Sequence, residues 1–506
     1  MAAKTIGELL AAGAPEAPAI GAPGRPAMTY GDLARQLEGT LASLNAAGIG
    51  RGDPVAIVLP NGPTMASAFV TIAAGAIAAP LNPAYRESEF AFYLDDLNAR
   101  ALVVAAGADT PAREVAAARG VPVLELVEDD TAGSFRLDGG SGGPVEDARR
   151  GPGGADDIGL VLHTSGTTSR PKIVPLAQRN LVASAGHIQG TLALGPEDSC
   201  LNIMPLFHIH GLMAAVLATL AGGASVVCTP GFNALRIFAW LDEVRPTWTT
   251  AVPTMHQAIL ARAGRNPESV ANARLRLIRS SSASLPPQVM LDLEAAFGCP
   301  VIESYGMTEA AHQMASNPLP PAPRKPGSVG IAAGPEIAIM DEAGAILAAG
   351  ATGEVVIRGP NVTPGYLNNP EANASAFRDG WFRTGDQGVL DPDGYLTITG
   401  RLKEIINRGG EKVAPLEVDN VLSSHPAVAQ ALTFAIPHPK LGEEVAAAVV
   451  LREGHKVNEA ALRTFAAGYL ADFKVPRRVI FLDEIPKGAT GKLQRIGLAE
   501  KLGLAG

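Results

Sequence analysis

The stretch His163-Thr164-Ser165-Gly166-Thr167-Thr168-Ser169-Arg170-Pro171-Lys172 gathers residue types suited to holding an anion. Gly166 lets the backbone come close, the hydroxyls of Thr164, Ser165, Thr167, Thr168 and Ser169 donate without carrying charge, and Lys172 adds a point cation. Phosphate is the ligand such a loop fits. The apolar run Ile158-Gly159-Leu160-Val161-Leu162 ahead of it reads as a buried strand. The spacing is not that of a Walker A loop, because no Gly-Lys-Ser/Thr follows a second glycine at the required distance. A plain Ser/Thr-rich turn is the ordinary alternative, and the strand in front with Pro-Lys behind weighs against it.

Other stretches carry candidate chemistry further along. His208 and His210 stand at alternate positions of an apolar run, where they would share one face of a strand. Leu275 to Arg279 reads as a strand leading into Ser280-Ser281-Ser282-Ala283-Ser284, at the strand end where open α/β sheets place ligands. Val301-Ile302-Glu303-Ser304-Tyr305-Gly306-Met307-Thr308-Glu309 repeats the order of strand, glycine turn and polar residues. By itself Glu309 is equally well read as a carboxylate favoured at a helix N-terminus. In Gly380-Trp381-Phe382-Arg383-Thr384-Gly385-Asp386, the aspartate could accept two ribose hydroxyls or belong to a turn, as Asp391-Pro392-Asp393-Gly394 does. Gly488 and Gly491 flank a loop able to bring Lys492 to a reaction centre, although a lysine in a glycine loop is ordinarily just solvated.

Taken in order, these strings resemble the signatures of the adenylate-forming superfamily of acyl-CoA synthetases, luciferases and peptide-synthetase adenylation domains. That resemblance implies ATP as a substrate, with Thr164, Ser165, Gly166, Thr167, Thr168 and Lys172 on its phosphates, and Ser282, Ala283 and Ser284 beside it. It implies that Tyr305 stacks on adenine, Thr308 meets phosphate, Glu309 holds Mg²⁺, Asp386 holds the ribose and Arg401 lies near the nucleotide. Lys492 would be the catalytic lysine, with Thr308, Glu309 and His208 completing the catalytic set, and Lys403 would be a hinge. His208 would also border the acyl pocket. Where the superfamily usually has glycine after the loop lysine, this chain has Ile173, which does not readily take positive φ.

Within the superfamily, HTSGTTSRPK, MPLFHIHGL, MTEAAHQMASNPLP and INRGGEKV are most similar to the oxalate-CoA ligases. The implied reaction is formation of an acyl-adenylate from the acid and MgATP, then transfer to a thiol. No phosphopantetheine-type Gly-Gly-Ser site follows Arg495, so the expected thiol is free coenzyme A. A small dianion needs donors, which His208, Ser282 and His312 could supply, whereas a long-chain acid needs an apolar tunnel. The ordinary alternative for His312 is a surface helix residue. Ligases for another short-chain or aryl acid stay open, as does a non-catalytic nucleotide-binding regulator, against which the presence of Lys492 and Glu309 speaks.

The elements that must position these groups follow from the whole chain. At 506 residues it exceeds what one core organises, and 47% hydrophobic residues can bury a large core. Strand-like runs alternating with helical patterns imply an α/β domain of helix-covered sheets over residues 1–402, followed by a small mobile α+β lid over 403–506. Val55 to Leu59, Ala101 to Val104 and Val121 to Leu124 are among the strands; Ala66 to Ala79 and Leu212 to Ala221 read as buried helices, too short and Ala-rich for membrane spans. Asp129 to Asp157 is expected to be a surface loop. A net charge of -9 argues against nucleic acid or an anionic membrane as partner. Cys200, Cys228 and Cys299 are spaced for neither a disulfide framework nor a metal cluster. No targeting segment is evident, so a cytoplasmic enzyme is expected, with monomer and dimer both open.

Overall fold

The computed structural model describes residues 3–140, 149–164, 171–488 and 492–504. Among them the strands form four sheets, of nine, seven, five and five strands. In the seven-stranded sheet Val123–Glu128, Ala101–Ala105, Pro54–Val58, Ile77–Pro80 and Ile158–Thr164 run parallel. Lys172–Ala177 closes one edge antiparallel. The nine-stranded sheet has a parallel centre of Ser225–Cys228, Ser199–Asn202, Trp248–Ala251, Leu277–Ser280 and Val301–Met307. His312–Ser316 then returns antiparallel beside Val301–Met307. Short apolar runs separated by helical segments bury both faces of such strands, and parallel pairing is the consequence.

Helices fill the space between these sheets. Pro63–Ala73 and the π-helix His210–Leu217 are buried at every residue. One apolar cluster joins Phe69 and Met213 of these helices to Ile57 and Val103 of one sheet and Val226 and Trp248 of the other. A helix covered on all sides must be mostly apolar all round, and the hydroxyls it does bury, Ser67 and Thr71, donate to the Gly133 and Ser67 carbonyls. The run Ala66 to Ala79 is not one helix, however. The helix ends at Ala73, a turn follows at Gly75, and Ile77–Pro80 is already a sheet strand. The segment after Asp129 is also more than a loop, because Phe135–Asp138 pairs antiparallel with Val123–Glu128; residues 141–148 lie outside the described ones.

Two smaller sheets complete the chain. Glu336–Met340, Thr352–Arg358, Phe377–Arg378, Trp381–Leu390 and Leu396–Arg401 form an antiparallel sheet against the cleft. After the single turn Leu402–Glu404, a separate α+β unit builds its own core from Ile406, Val418, Val428, Val445 and Leu462. This lid meets the large domain through few groups on its outer side: Gln257 donates to the Ala429 carbonyl at 3.3 Å, and Arg265 pairs with Glu453 at 3.3 Å. No helix among the described residues is long and apolar enough to cross a membrane.

Candidate active site

The C-terminal ends of the parallel strands open onto a cavity of about 450 Å³ between the large domain and the lid. Thr164, Lys172, His208, Ser282, Thr308, Glu309, His312, Arg401 and Lys403 line it together with Lys492 from the lid. Thr164 and Arg401 end strands at this rim, Lys172 and His312 begin strands there, and Lys492 comes from a loop of the lid, so residues more than three hundred positions apart converge. Ser165, Gly166, Thr167 and Thr168 lie outside the described residues. Ala283 is exposed and Ser284 half-buried, and neither lines the cavity.

At one end the charges are matched. Between Glu354 and Val356 the strand pairing is irregular where Thr384, Gly385 and Asp386 sit opposite, and Gly385 takes φ +74°, a conformation glycine adopts without strain. This bulge carries Asp386, which is buried. Its Oδ1 pairs with Arg401 Nε at 3.2 Å, and its Oδ2 accepts the Tyr305 hydroxyl. Burial raises the Asp386 carboxyl above its ordinary range, opposed first by Arg401 and then by the Tyr305 bond. Tyr305 and Asp386 stand behind the lining formed by Gly306, Thr384 and Gly385.

Beside them, Glu309 is 6% exposed and accepts the Tyr366 hydroxyl at 2.8 Å on Oε1. Burial raises it too, and the Tyr366 bond is the main opposing effect. Lys172 Nζ lies 4.5 Å from the centre of the Tyr366 ring. Tyr366 therefore joins the phosphate-side lysine to the buried carboxylate, a role no sequence motif marked. Ile173 is extended, paired with His163, and its carbonyl accepts the Leu367 amide at 3.0 Å. No positive φ is needed at that position, which removes the difficulty the sequence raised.

His163 itself was in the loop string without a role. Its Nε2 meets Asp96 at 3.0 Å, and its ring sits edge-on to Tyr93, fixing the strand end that carries Thr164. Lys492 has an exposed surface, yet protein around it and the repulsion of Arg401 pull its ammonium below the usual lysine value. Exposure limits the size of that effect. Arg495, bound to Glu404 at 3.0 Å and Asp419 at 2.8 Å, anchors the segment that presents it.

The other end is built from imidazoles and hydroxyls. The expected shared strand face for His208 and His210 does not form. Asn202 Oδ1 accepts the Met204 amide at 3.0 Å, Pro205 lacks an amide, and the strand stops at Asn202. His208 then lies in a turn and His210 opens the π-helix. His210 Nδ1 is 2.9 Å from Ser282 Oγ and its Nε2 is 2.7 Å from Thr250 Oγ1. Its ring centre is 5.0 Å from that of His312. The surface-helix alternative for His312 is overturned: the residue is 1% exposed in a strand, and its Nδ1 has no partner. Ser282 (φ 74°), Ala311 (φ 45°) and His312 (φ 96°) all adopt left-handed backbone, strain of the kind that gathers at ligand sites. Gly306 is required here, since a methyl group would run into the His312 carbonyl. Burial and then Lys492 hold His208 down to about 3. Burial holds His210 and His312 well below the usual value as well, so all three rings are neutral near pH 7.

Comparison with known proteins gives the same picture. The model of the AMP-binding enzyme family matches residues 8–367, and that of the AMP-binding enzyme C-terminal domain matches 417–492. The chain is 46% identical to the oxalate-CoA ligase of Arabidopsis thaliana, covering 95% of each chain. It is 42% identical to that of Saccharomyces cerevisiae, over 89% of this chain and 87% of the relative. A crystal structure of ATP-bound MatB from Rhodopseudomonas palustris, 30% identical, superimposes with a TM-score of 0.88 over 98% of each chain. With its large domain, its lid and its cleft all accounted for in this way, the chain belongs to the AMP-binding enzyme family.

Proposed function

We propose that this chain is an acid-thiol ligase that activates oxalate with ATP and transfers the oxalyl group to coenzyme A, releasing AMP and diphosphate. The observation that carries the choice of acid is the far end of the cleft, where neutral imidazoles and a serine hydroxyl replace an apolar tunnel. The oxalate-CoA ligases of Arabidopsis and yeast support the same choice.

In the first step a carboxylate oxygen of the acid attacks the α-phosphorus, the bond to the bridging oxygen breaks, and diphosphate leaves. Lys492 stabilises the charge that develops on that bridge, and Thr308 and Lys172 hold the phosphates with the hydroxyl loop. Asp386 takes the ribose, with Arg401 orienting it, and Tyr305 packs on adenine. In the second step the coenzyme A sulfur attacks the acyl carbonyl and AMP departs. His208, Ser282 and His312 hold the distal carboxylate throughout. We place the domain boundary at Lys403, giving domains of residues 1–402 and 403–506, with the lid rotating there between steps.

Mg²⁺ suits Glu309: the carboxylate is buried, and among the described residues no group of three or more His, Cys, Asp or Glu could hold a metal alone. A cation that keeps water and phosphate oxygens needs only one or two protein carboxylates. When bound it would neutralise phosphate charge.

The test is coenzyme A-dependent AMP release from ATP across oxalate, malonate, glyoxylate, acetate, a medium-chain acid and an aryl acid. Strong turnover of oxalate alone is expected. Preference for acetate or the longer acids would strip His208, Ser282 and His312 of their substrate role.

A further inference from the structure

Behind the acid end of the cleft sits a cation that no anion among the described residues balances. Arg279 lies in Leu277–Ser280 at the centre of the nine-stranded sheet, and none of its surface is exposed. Its guanidinium meets only neutral groups: Thr250 Oγ1 at 3.5 Å and Gln313 Oε1 at 3.2 Å. Its Nε has no partner. Among the described residues no carboxylate pairs with it. Across the neighbouring strand its register partner is Ile302; Glu303, opposite Ser280, faces the other side of the sheet. Around it stand the thiol of Cys200 and the imidazoles of His210 and His312, while His256 approaches only its carbonyl, at 3.1 Å. A buried guanidinium without a counter-ion is costly to keep, unless a ligand brings the missing charge.

The hydrogen bonds around it run in one direction. A guanidinium can only donate, so Thr250 Oγ1 accepts from Arg279; among the described residues its own proton has no acceptor but His210 Nε2, and goes there. His210 must then carry its proton on Nδ1 and donate to Ser282 Oγ. The Ser282 proton is left to point at something else, and Ser282 lines the cleft. His312, whose Nδ1 has no partner, lines it as well.

We infer that Arg279 is a positioning and specificity-determining residue: through Thr250 and His210 it turns Ser282 into a donor, and its unbalanced charge selects acids whose distal group is a second anion. This rests on the proposed reaction. Arg279 touches no substrate atom; it acts through the residues in front of it.

The experiment compares oxalate with oxamate, its monoamide, which has nearly the same shape but a neutral distal group. Wild-type enzyme is expected to favour oxalate in kcat/KM. Arg279→Met should reduce that preference by about tenfold to a hundredfold, mainly through KM for the acid, with KM for ATP unchanged. Arg279→Lys should recover most of it. A folded Arg279→Met enzyme with the wild-type preference would overturn the inference while leaving the oxalate assignment intact. If Arg279→Met does not fold, the wild-type comparison decides: equal use of oxalate and oxamate overturns the inference, and a strong oxalate preference retained by Arg279→Lys supports it. A wild-type enzyme that ignores oxalate and turns over another acid refutes the proposed reaction instead.

Discussion

The two ends of the cleft are electrostatic opposites. At the nucleotide end Asp386 meets Arg401 and Tyr305, Glu309 meets Tyr366, and Glu354 Oε2 meets Arg383 Nε at 2.8 Å. At the acid end the groups are neutral rings, hydroxyls and one unbalanced arginine. A ligand whose charges arrive largely neutralised by a cation suits the first environment. A small naked anion suits the second, because it supplies what that end lacks. On the proposed reaction, the matched charges face the nucleotide and the unmatched charge faces the acid.

If that division is right, substitutions at the two ends should fail in different ways. Lys492→Ala should lower adenylate formation by about a hundredfold to a thousandfold, the range seen when a transition-state charge loses its donor. Thioester formation from supplied acyl-adenylate should be spared; equal loss of both half-reactions would end the role given to this lysine. Asp386→Asn unpairs Arg401 and should raise KM for ATP by about tenfold to a hundredfold, without changing KM for the acid. Matching losses for both substrates would mean that the ends are coupled and the contrast is false. Gly306→Ala forces the His312 backbone aside and should cost about 1–3 kcal/mol of stability. Its kinetic effect should fall on the acid, read as a raised KM for oxalate beside an unchanged KM for ATP.

The sequence made the nucleotide end more legible than the acid end, for a physical reason. Lys172, Glu309 and Asp386 each sit in a short local pattern of strand, glycine and polar residue, Lys492 sits in a glycine loop, and the cleft forms at or beside these patterns. Tyr366, Arg279 and Thr250 have no such pattern. Thr250 and Arg279 meet only because Trp248–Ala251 and Leu277–Ser280 pair in register, which no local string encodes. His208 and His210 read in the sequence as two histidines on one strand face. His210 instead bonds Ser282 and Thr250, because an Asx turn ends the strand and a π-helix begins at it. The mostly apolar run from Ala66 reads as one helix because burial on both faces erases the period that separates a helix from a strand.

The smallest change asks whether Glu309 must be ionised, and Tyr366→Phe isolates that question. The ring stays, so the contact with Lys172 at 4.5 Å stays; only the hydroxyl bonded to Glu309 is lost. Burial already lifts Glu309 above the ordinary carboxylate range, and this bond is the main effect pulling it back down. Removing the bond therefore moves the carboxyl further up. If the ionised form is the one that works, the acid limb of kcat/KM for ATP should shift to higher pH, by about one unit or less, with the alkaline side unchanged. Asp386 is also lifted by burial and is the rival source of that limb. It does not touch Tyr366, so a limb that stays put in Tyr366→Phe but moves when Tyr305, the Asp386 donor, becomes Phe assigns it to the ribose side. The charge that must be present before ATP binds would then lie at Asp386 and not at the phosphates.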